Sequence, residues 1–508
     1  MTPPTIAIGL DAADTALVDG YVADGTMPAL ARLRARGVTG RLSNAEIYRA
    51  ETPWTNFLTG AWPDKTGYWG PIRYNPQTYG TDEAGAYLFD AFPPFYQGVE
   101  GRVCIFDVPQ TRLQADRNGI EVLGWGSHSQ QGPACSSPPG LLAALQERHG
   151  VSPVDDETAT NSYDPEALEV FDTEVRTALQ RRISVSKDLL SRESWRLFLT
   201  VVGETHSGGH ELWHHGQAHP LHRAGTDRIR RLYADADKVV DALVNNAPDD
   251  AHIVVFSLHG MVANGLDVPS MAILPEVLAR WSFGEAFVAK GAENPPMPRG
   301  DYSQHWKHEV WGLRTLAGDD RLTGPSELAA TGDVLNWQPA QWYRPLWPLM
   351  RAFALPSYAD GTIRFNLTGR ESLGFVEPLS APGLAKEIRA LLLGLVDHRT
   401  GKPVVDDVVY RPRRWGIHSS PADLVVRWSE AALSDVFSHP ALGVFGPYPW
   451  FRTGAHRPLG FWTAVGPRIH GRDTPRDGSV VDLSATLMDL IGAERHPWMD
   501  GCSLLKNR

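Results

Sequence analysis

Four histidines fall between Glu204 and His215, in the run Glu-Thr-His206-Ser-Gly-Gly-His210-Glu-Leu-Trp-His214-His215. His206 and His210 are four apart, so on a helix they share one side and both imidazoles can meet a single cation. An exposed loop that merely gathers histidines is the blander reading. Three further residues stand where apolar runs end: Asp11 after TIAIGL, His259 in Ser257-Leu258-His259-Gly260, and His456 in Gly454-Ala-His456-Arg-Pro-Leu-Gly460. Each alone reads equally well as a cap or a packed histidine. Together they suit a metal site, whose ligands are collected from several strand-end loops. The stretch Arg49-Ala50-Glu51-Thr52-Pro53-Trp54-Thr55-Asn56 adds hydroxyls at the start of a helix, with proline at its first position. Thr52 is a candidate nucleophile or simply a helix cap.

The elements that would carry these residues alternate. TIAIGLD, RVCIFDVP, RLFLTVVGE and AHIVVFSLHG are short apolar runs of the kind buried parallel strands show. Between them lie helical periods beginning near Met27, Ala167 and Thr226. Such alternation predicts a doubly wound α/β sheet, mostly parallel, with its chemistry at the carboxyl ends of the strands. From about 262 to 361 the pattern lapses into proline, glycine and tryptophan, including Trp306, Trp311, Trp337, Trp342 and Trp347. The expected division is a core over 1–261, an aromatic-rich insertion or cap over 262–361, and a return to the core over 362–508. The tryptophans suit a hydrophobic core better than a stacking surface, although stacking on a planar substrate group stays open.

At 508 residues the chain exceeds one compact core. Its 48 basic and 59 acidic residues give a formal charge of −11, which argues against nucleic-acid polymers and anionic membranes. The arginine runs 228, 230, 231 and 411, 413, 414 are too short to reverse that. Three dispersed cysteines suggest neither disulfides nor a thiolate zinc site. The opening MTPPTIAIGLDAAD enters a strand within a few residues and lacks the parts of a leader, so the cytoplasm is the simplest expectation.

Taken in order, GLDAADTALVDGYVADGTMPALARLRARG, WTNFLTGAWPDKTG, HSGGHELW, SLHGM, GAHRPLGFWTAVGPRI and VVDLSATLMDLIG resemble the alkaline phosphatase superfamily. The likeness is to its type I phosphodiesterase and nucleotide pyrophosphatase branch, which is also similar to cofactor-independent phosphoglycerate mutase. That resemblance implies two divalent ions, commonly zinc or manganese, and a Ser or Thr nucleophile acting on a phosphoester. It assigns Asp11 and His259 to the nucleophile-side ion and His206, His210 and His456 to the water-side ion. The substrate is then a small anionic ester, with Asn56 and Arg370 candidates to meet it and Glu204 a candidate general base or a partner behind the metal ligands.

The chain departs from that pattern. Leu258 replaces a carboxylate ligand of the usual Ser-Asp-His-Gly, His206 replaces an aspartate, and Thr66 stands for a histidine. An ungapped alignment puts Ala50 at the nucleophile position. Thr52 takes it after a two-residue deletion, with Thr55 behind it. Losing about two negative charges disfavours two close divalent ions, so one ion held by three imidazoles is the preferred expectation, zinc first, with manganese, iron or copper open. Three functions follow: a metal-dependent hydrolase of a phosphodiester, phosphomonoester or related ester; a repurposed histidine-rich metalloenzyme of specialised metabolism; or an inactive binding homologue.

Overall fold

In the computed structural model, which describes residues 2–83, 89–114, 118–126, 134–154, 164–225, 227–298, 305–412, 418–469 and 475–506, the apolar runs line up side by side. Arg413, Arg414 and Thr226 lie outside these residues. Thr5–Leu10 is central, parallel to Leu197–Val202 on one flank and to His252–Ser257 on the other. The described residues give a nine-stranded sheet. Its order runs Gly478–Ser479, Val38–Ser43, Leu459–Val465, His252–Ser257, Thr5–Leu10, Leu197–Val202, Val103–Phe106, Gly119–Leu123, Cys135–Ser137. Leu459–Val465 runs antiparallel to both neighbours, so the sheet is mixed but mostly parallel.

The alternation of side chains along each strand explains why both faces are covered. Ile6, Ile8, Leu10, Phe198, Val202, Ile253 and Val255 join one core with the helices Pro28–Arg36, Pro165–Ser191 and Arg228–Asn245. Ala7, Leu199, Val201, Val254 and Phe256 point the other way, onto Pro53–Thr59 and Val480–Ile491. A strand apolar on both faces has to be sandwiched between helices.

A second body hangs from this sheet. Ala352–Leu355, Asp360–Phe365, Leu424–Trp428 and Val405–Tyr410 form an antiparallel sheet in that order. It packs with helix Ala381–Leu393 around a core that includes Trp342, Trp347 and Trp428. Among the described residues the chain rejoins the nine-stranded sheet at Leu459–Val465. The run GTIRFNL has the period of a strand, but a period names no partner. Trp342 and Trp347 are fully buried, as the core reading of the tryptophans has it.

The chain leaves for the second body through Gly260–Ala263 and comes back through Gly454–Arg457, and these two segments pair antiparallel, with Met261 opposite His456. Departure and return are thus stitched together beside the carboxyl end of the His252–Ser257 strand. No helix among the described residues is long and apolar enough to cross a membrane.

Candidate metal centre

The helix Glu204–Leu212 begins directly after the Leu197–Val202 strand and is buried along its whole length. Its four-residue spacing sets the rings of His206 and His210 at right angles, 4.5 Å apart. His456 arrives from the returning strand, and one nitrogen from each of the three residues lies within 4.8 Å of the others. The Nε2 of His210 is 3.3 Å from that of His206 and 3.1 Å from that of His456. Ligands at zinc distances on a tetrahedron stand roughly 3.3 Å from one another, so the spacing suits one such ion.

The tautomer is set from behind. His210 Nδ1 lies 2.7 Å from the Gly454 carbonyl oxygen, so Nδ1 carries the proton and Nε2 presents a bare lone pair to the other two rings. That contact needs a very close approach. A Cβ on Gly454 would stand 2.1 Å from the Gly209 carbonyl oxygen, so no side chain fits there. Burial, and then the neighbouring His259, His210 and His206, push His456 well below the usual histidine range. A neutral imidazole is the form that ligates a metal.

Asp11 and His259 lie against this trio. His259 is buried, its ring 4.5 Å from that of His456, and its Nε2 is 3.8 Å from Asp11 Oδ1. Trp54 Nε1 donates to the same Asp11 oxygen at 3.0 Å, tying the candidate nucleophile segment to the first strand. Leu258 is fully buried in the core that also holds Trp54 and Phe57. Thr52 does not cap its helix: its hydroxyl donates to the Tyr48 carbonyl at 2.9 Å. Ala50 packs against the core of the second body. Asn56 is buried, and neither polar atom of its side chain has a hydrogen-bond partner among the described residues.

Two other candidates are spoken for. Both carboxylate oxygens of Glu204 lie within 2.9 Å of Arg182 Nε. The remaining donors of Arg182 go to Asp107 and to the Val201 carbonyl, each at 2.7 Å. Burial pushes Glu204 above the usual carboxylate range while Arg182 opposes it. The arrangement faces Glu204 away from the role of a free base. Arg370 is likewise engaged by Glu371, by Asp423 and by the Phe365 carbonyl, in the second body. A sequence records arginine as a donor but not which carboxylates fold beside it.

Arg182 itself escaped the sequence reading, although a signal was there. It falls on the apolar stripe Leu168, Phe171, Val175, Ala178, Leu179, Val185, Leu189 of its helix, where a charge has to be paired. Glu51, adjoining Thr52, also escaped. Burial, and then Asp360, push its carboxyl up to about 8.

The amino-terminal part of the chain, residues 5–288, matches the family model for type I phosphodiesterase / nucleotide pyrophosphatase. The chain belongs to that family. This places it in the alkaline phosphatase superfamily, as the resemblance of its motifs implied. No curated protein sequence matches it. Among solved structures, phosphonoacetate hydrolase from Sinorhizobium meliloti 1021, in complex with phosphonoformate, is 15% identical with a TM-score of 0.48, covering 97% of this chain and 96% of its own. Murine ectonucleotide pyrophosphatase / phosphodiesterase 5 is 11% identical with a TM-score of 0.48, over 97% and 96% of the two chains. Its human counterpart is 11% identical with a TM-score of 0.49, over 98% and 97%.

Proposed function

We propose that this member of the type I phosphodiesterase family is a metal-dependent hydrolase of a small phosphodiester, phosphomonoester or related anionic ester. The observation that supports the reading best is the set of three imidazoles with the proton of His210 held on Nδ1, away from the other two rings. An all-nitrogen set of three with room for a fourth ligand suits catalytic zinc. When bound, such an ion supplies Lewis acidity toward an ester oxygen and toward water.

The residues of the chain divide the remaining work. His206, His210 and His456 would hold the cation, and the Gly454 carbonyl keeps His210 in the tautomer that could ligate it. Asp11, steadied by Trp54, and His259 border the same space and form the remnant of a second position. Thr52 is the candidate nucleophile, its hydroxyl proton already directed to a carbonyl acceptor. Asn56, with an unsatisfied buried amide, is suited to donate to a substrate oxygen. Glu204 is read as a positioning residue, locking the start of the histidine helix to Arg182.

The test is metal analysis of the purified chain together with turnover of nucleotide and aryl phosphodiesters and phosphomonoesters. About one transition ion per chain and turnover that a chelator abolishes are expected. A chain that takes up no transition metal and cleaves none of these esters overturns the reading.

A further inference from the structure

The three imidazoles of the centre do not share one support. His206 and His210 stand on the helix Glu204–Leu212, which follows directly from a central strand of the nine-stranded sheet. His456 stands on the two-stranded ribbon of Gly260–Ala263 and Gly454–Arg457, which forms a sheet of its own. The elements of the second body lie between these two strands in the chain, so that body hangs from the outer end of the ribbon. A ribbon of two strands without a third is marginally stable by itself.

We propose that His456 is a latch: by ligating one cation together with His206 and His210, it fastens the ribbon to the core and holds the second body in place. The proposal rests on the metal site of the hydrolase reading, and not on which ester is cleaved.

The hydrogen bonds between ribbon and helix fall at the outer end. The Thr453 N–H donates to the His210 carbonyl at 3.0 Å, and the Gly454 carbonyl lies 2.7 Å from His210 Nδ1. At the inner end Arg457 pairs with Glu430 of the second body at 2.9 Å and approaches Asp14 of the core only to 3.8 Å. Between these points the His456 ring meets the helix, its Nε2 3.1 Å from that of His210. Shared ligation there would tie ribbon to helix at the place where their hydrogen bonds give out. An ion bound by the closed arrangement alone stabilises it against local opening.

The second body also reaches the centre from its other side. Tyr48 Oη lies 2.9 Å from Ser420 Oγ, Arg49 pairs with Asp360 at 2.7 Å, and Ala50 packs against the core of the second body. These residues lead into Thr52. The seat of the second body thus bears on where the candidate nucleophile stands relative to the histidines.

The experiment follows backbone hydrogen exchange of the full metal-free chain by mass spectrometry, with and without Zn2+. Saturating zinc is expected to slow exchange about tenfold in Gly260–Ala263 and Gly454–Arg457, and by less than about twofold in the helix Leu141–His149, which packs at the far edge of the sheet. In His456→Ala, zinc at concentrations that the His206 and His210 pair still binds is expected to slow the helix Glu204–Leu212 and leave the ribbon unchanged. Should that variant fail to fold, the wild-type comparison decides alone. Zinc uptake by wild type with unchanged exchange in the ribbon overturns the latch and leaves the hydrolase reading standing, as does ribbon protection that survives in His456→Ala. Ribbon protection by zinc in a chain that cleaves no phosphoester upholds the latch while the hydrolase reading falls. A chain that takes up no zinc overturns the latch as well.

Discussion

His210 and His456 are 246 positions apart in the chain, yet their Nε2 atoms stand 3.1 Å from each other. The pair exists because the strand bearing His456 returns antiparallel to Gly260–Ala263 and lies on the histidine helix, with the Gly454 carbonyl 2.7 Å from His210 Nδ1. Imidazole nitrogens converging in a buried place can serve as ligands to one metal ion.

Removing one member of the trio should release the ion. His206→Ala is expected to reduce metal content from about one per chain to near zero after dialysis, read by elemental analysis. Two tightly held ions in the wild type would contradict the charge argument for a single occupied site.

Leu258→Asp introduces a carboxylate next to His259 in the sequence. Its expected effect is a rise in metal content toward two per chain and an increase in any phosphatase activity. Unchanged metal content would show that Leu258 does not face the second position. Because Leu258 is fully buried, the apo variant should also be less stable than the parent.

Arg182 and Glu204 form a buried ion pair with Asp107, and the Arg182 side chain is wholly enclosed. Arg182→Ala is expected to cost about 3–5 kcal/mol in denaturant unfolding, since two carboxylates lose their cation. Glu204→Gln should weaken metal binding by about ten- to a hundredfold while leaving the shape of the pH–rate profile in place. Disappearance of one limb of that profile would make Glu204 the general base after all.

Glu51 gives stability a dependence on alkaline pH. Its carboxyl is pushed from an ordinary value of 4.5 up to about 8, so the folded chain keeps a proton that the unfolded chain releases. The resulting stability is complete below the ordinary value and is lost as pH rises through the folded one. Glu51→Gln, permanently neutral, should match wild type near pH 5 and exceed its Tm by several degrees near pH 9, with melting curves as the check. A constant difference across that range would count against the buried, protonated acid.

His219 acts in the opposite sense. Burial pulls it from 6.5 down to about 3, and its Nδ1 accepts from the Leu221 N–H at 3.1 Å, so a proton there would set donor against donor. Stability from this neutral ring is present above pH 6.5 and lost as pH falls toward the folded value. In His219→Gln the decline of Tm between about pH 6.5 and pH 4 should be shallower than in wild type.

Much of the architecture was legible because burial leaves a period. The strands at Thr5, Val103, Leu197 and His252 and the helices at Pro28, Pro165 and Arg228 show it in their residue types. Four-residue spacing was enough to expect His206 and His210 on one side of a helix, and the structure has them there. Asp360–Phe365 was equally legible as a strand, but not as a member of the second sheet. Arg370 and Glu204 read as available charges until their partners Asp423 and Arg182 came into view.

The order of residues by itself determined the candidate donors and the elements bearing them, and put a leucine at 258. These are local properties of side-chain type and spacing. Only the tertiary structure decided that His456 meets His210 and that a carbonyl fixes the proton of His210. Those relations join positions remote in the chain, and the packing of one body against another, which no local period encodes, brings them together.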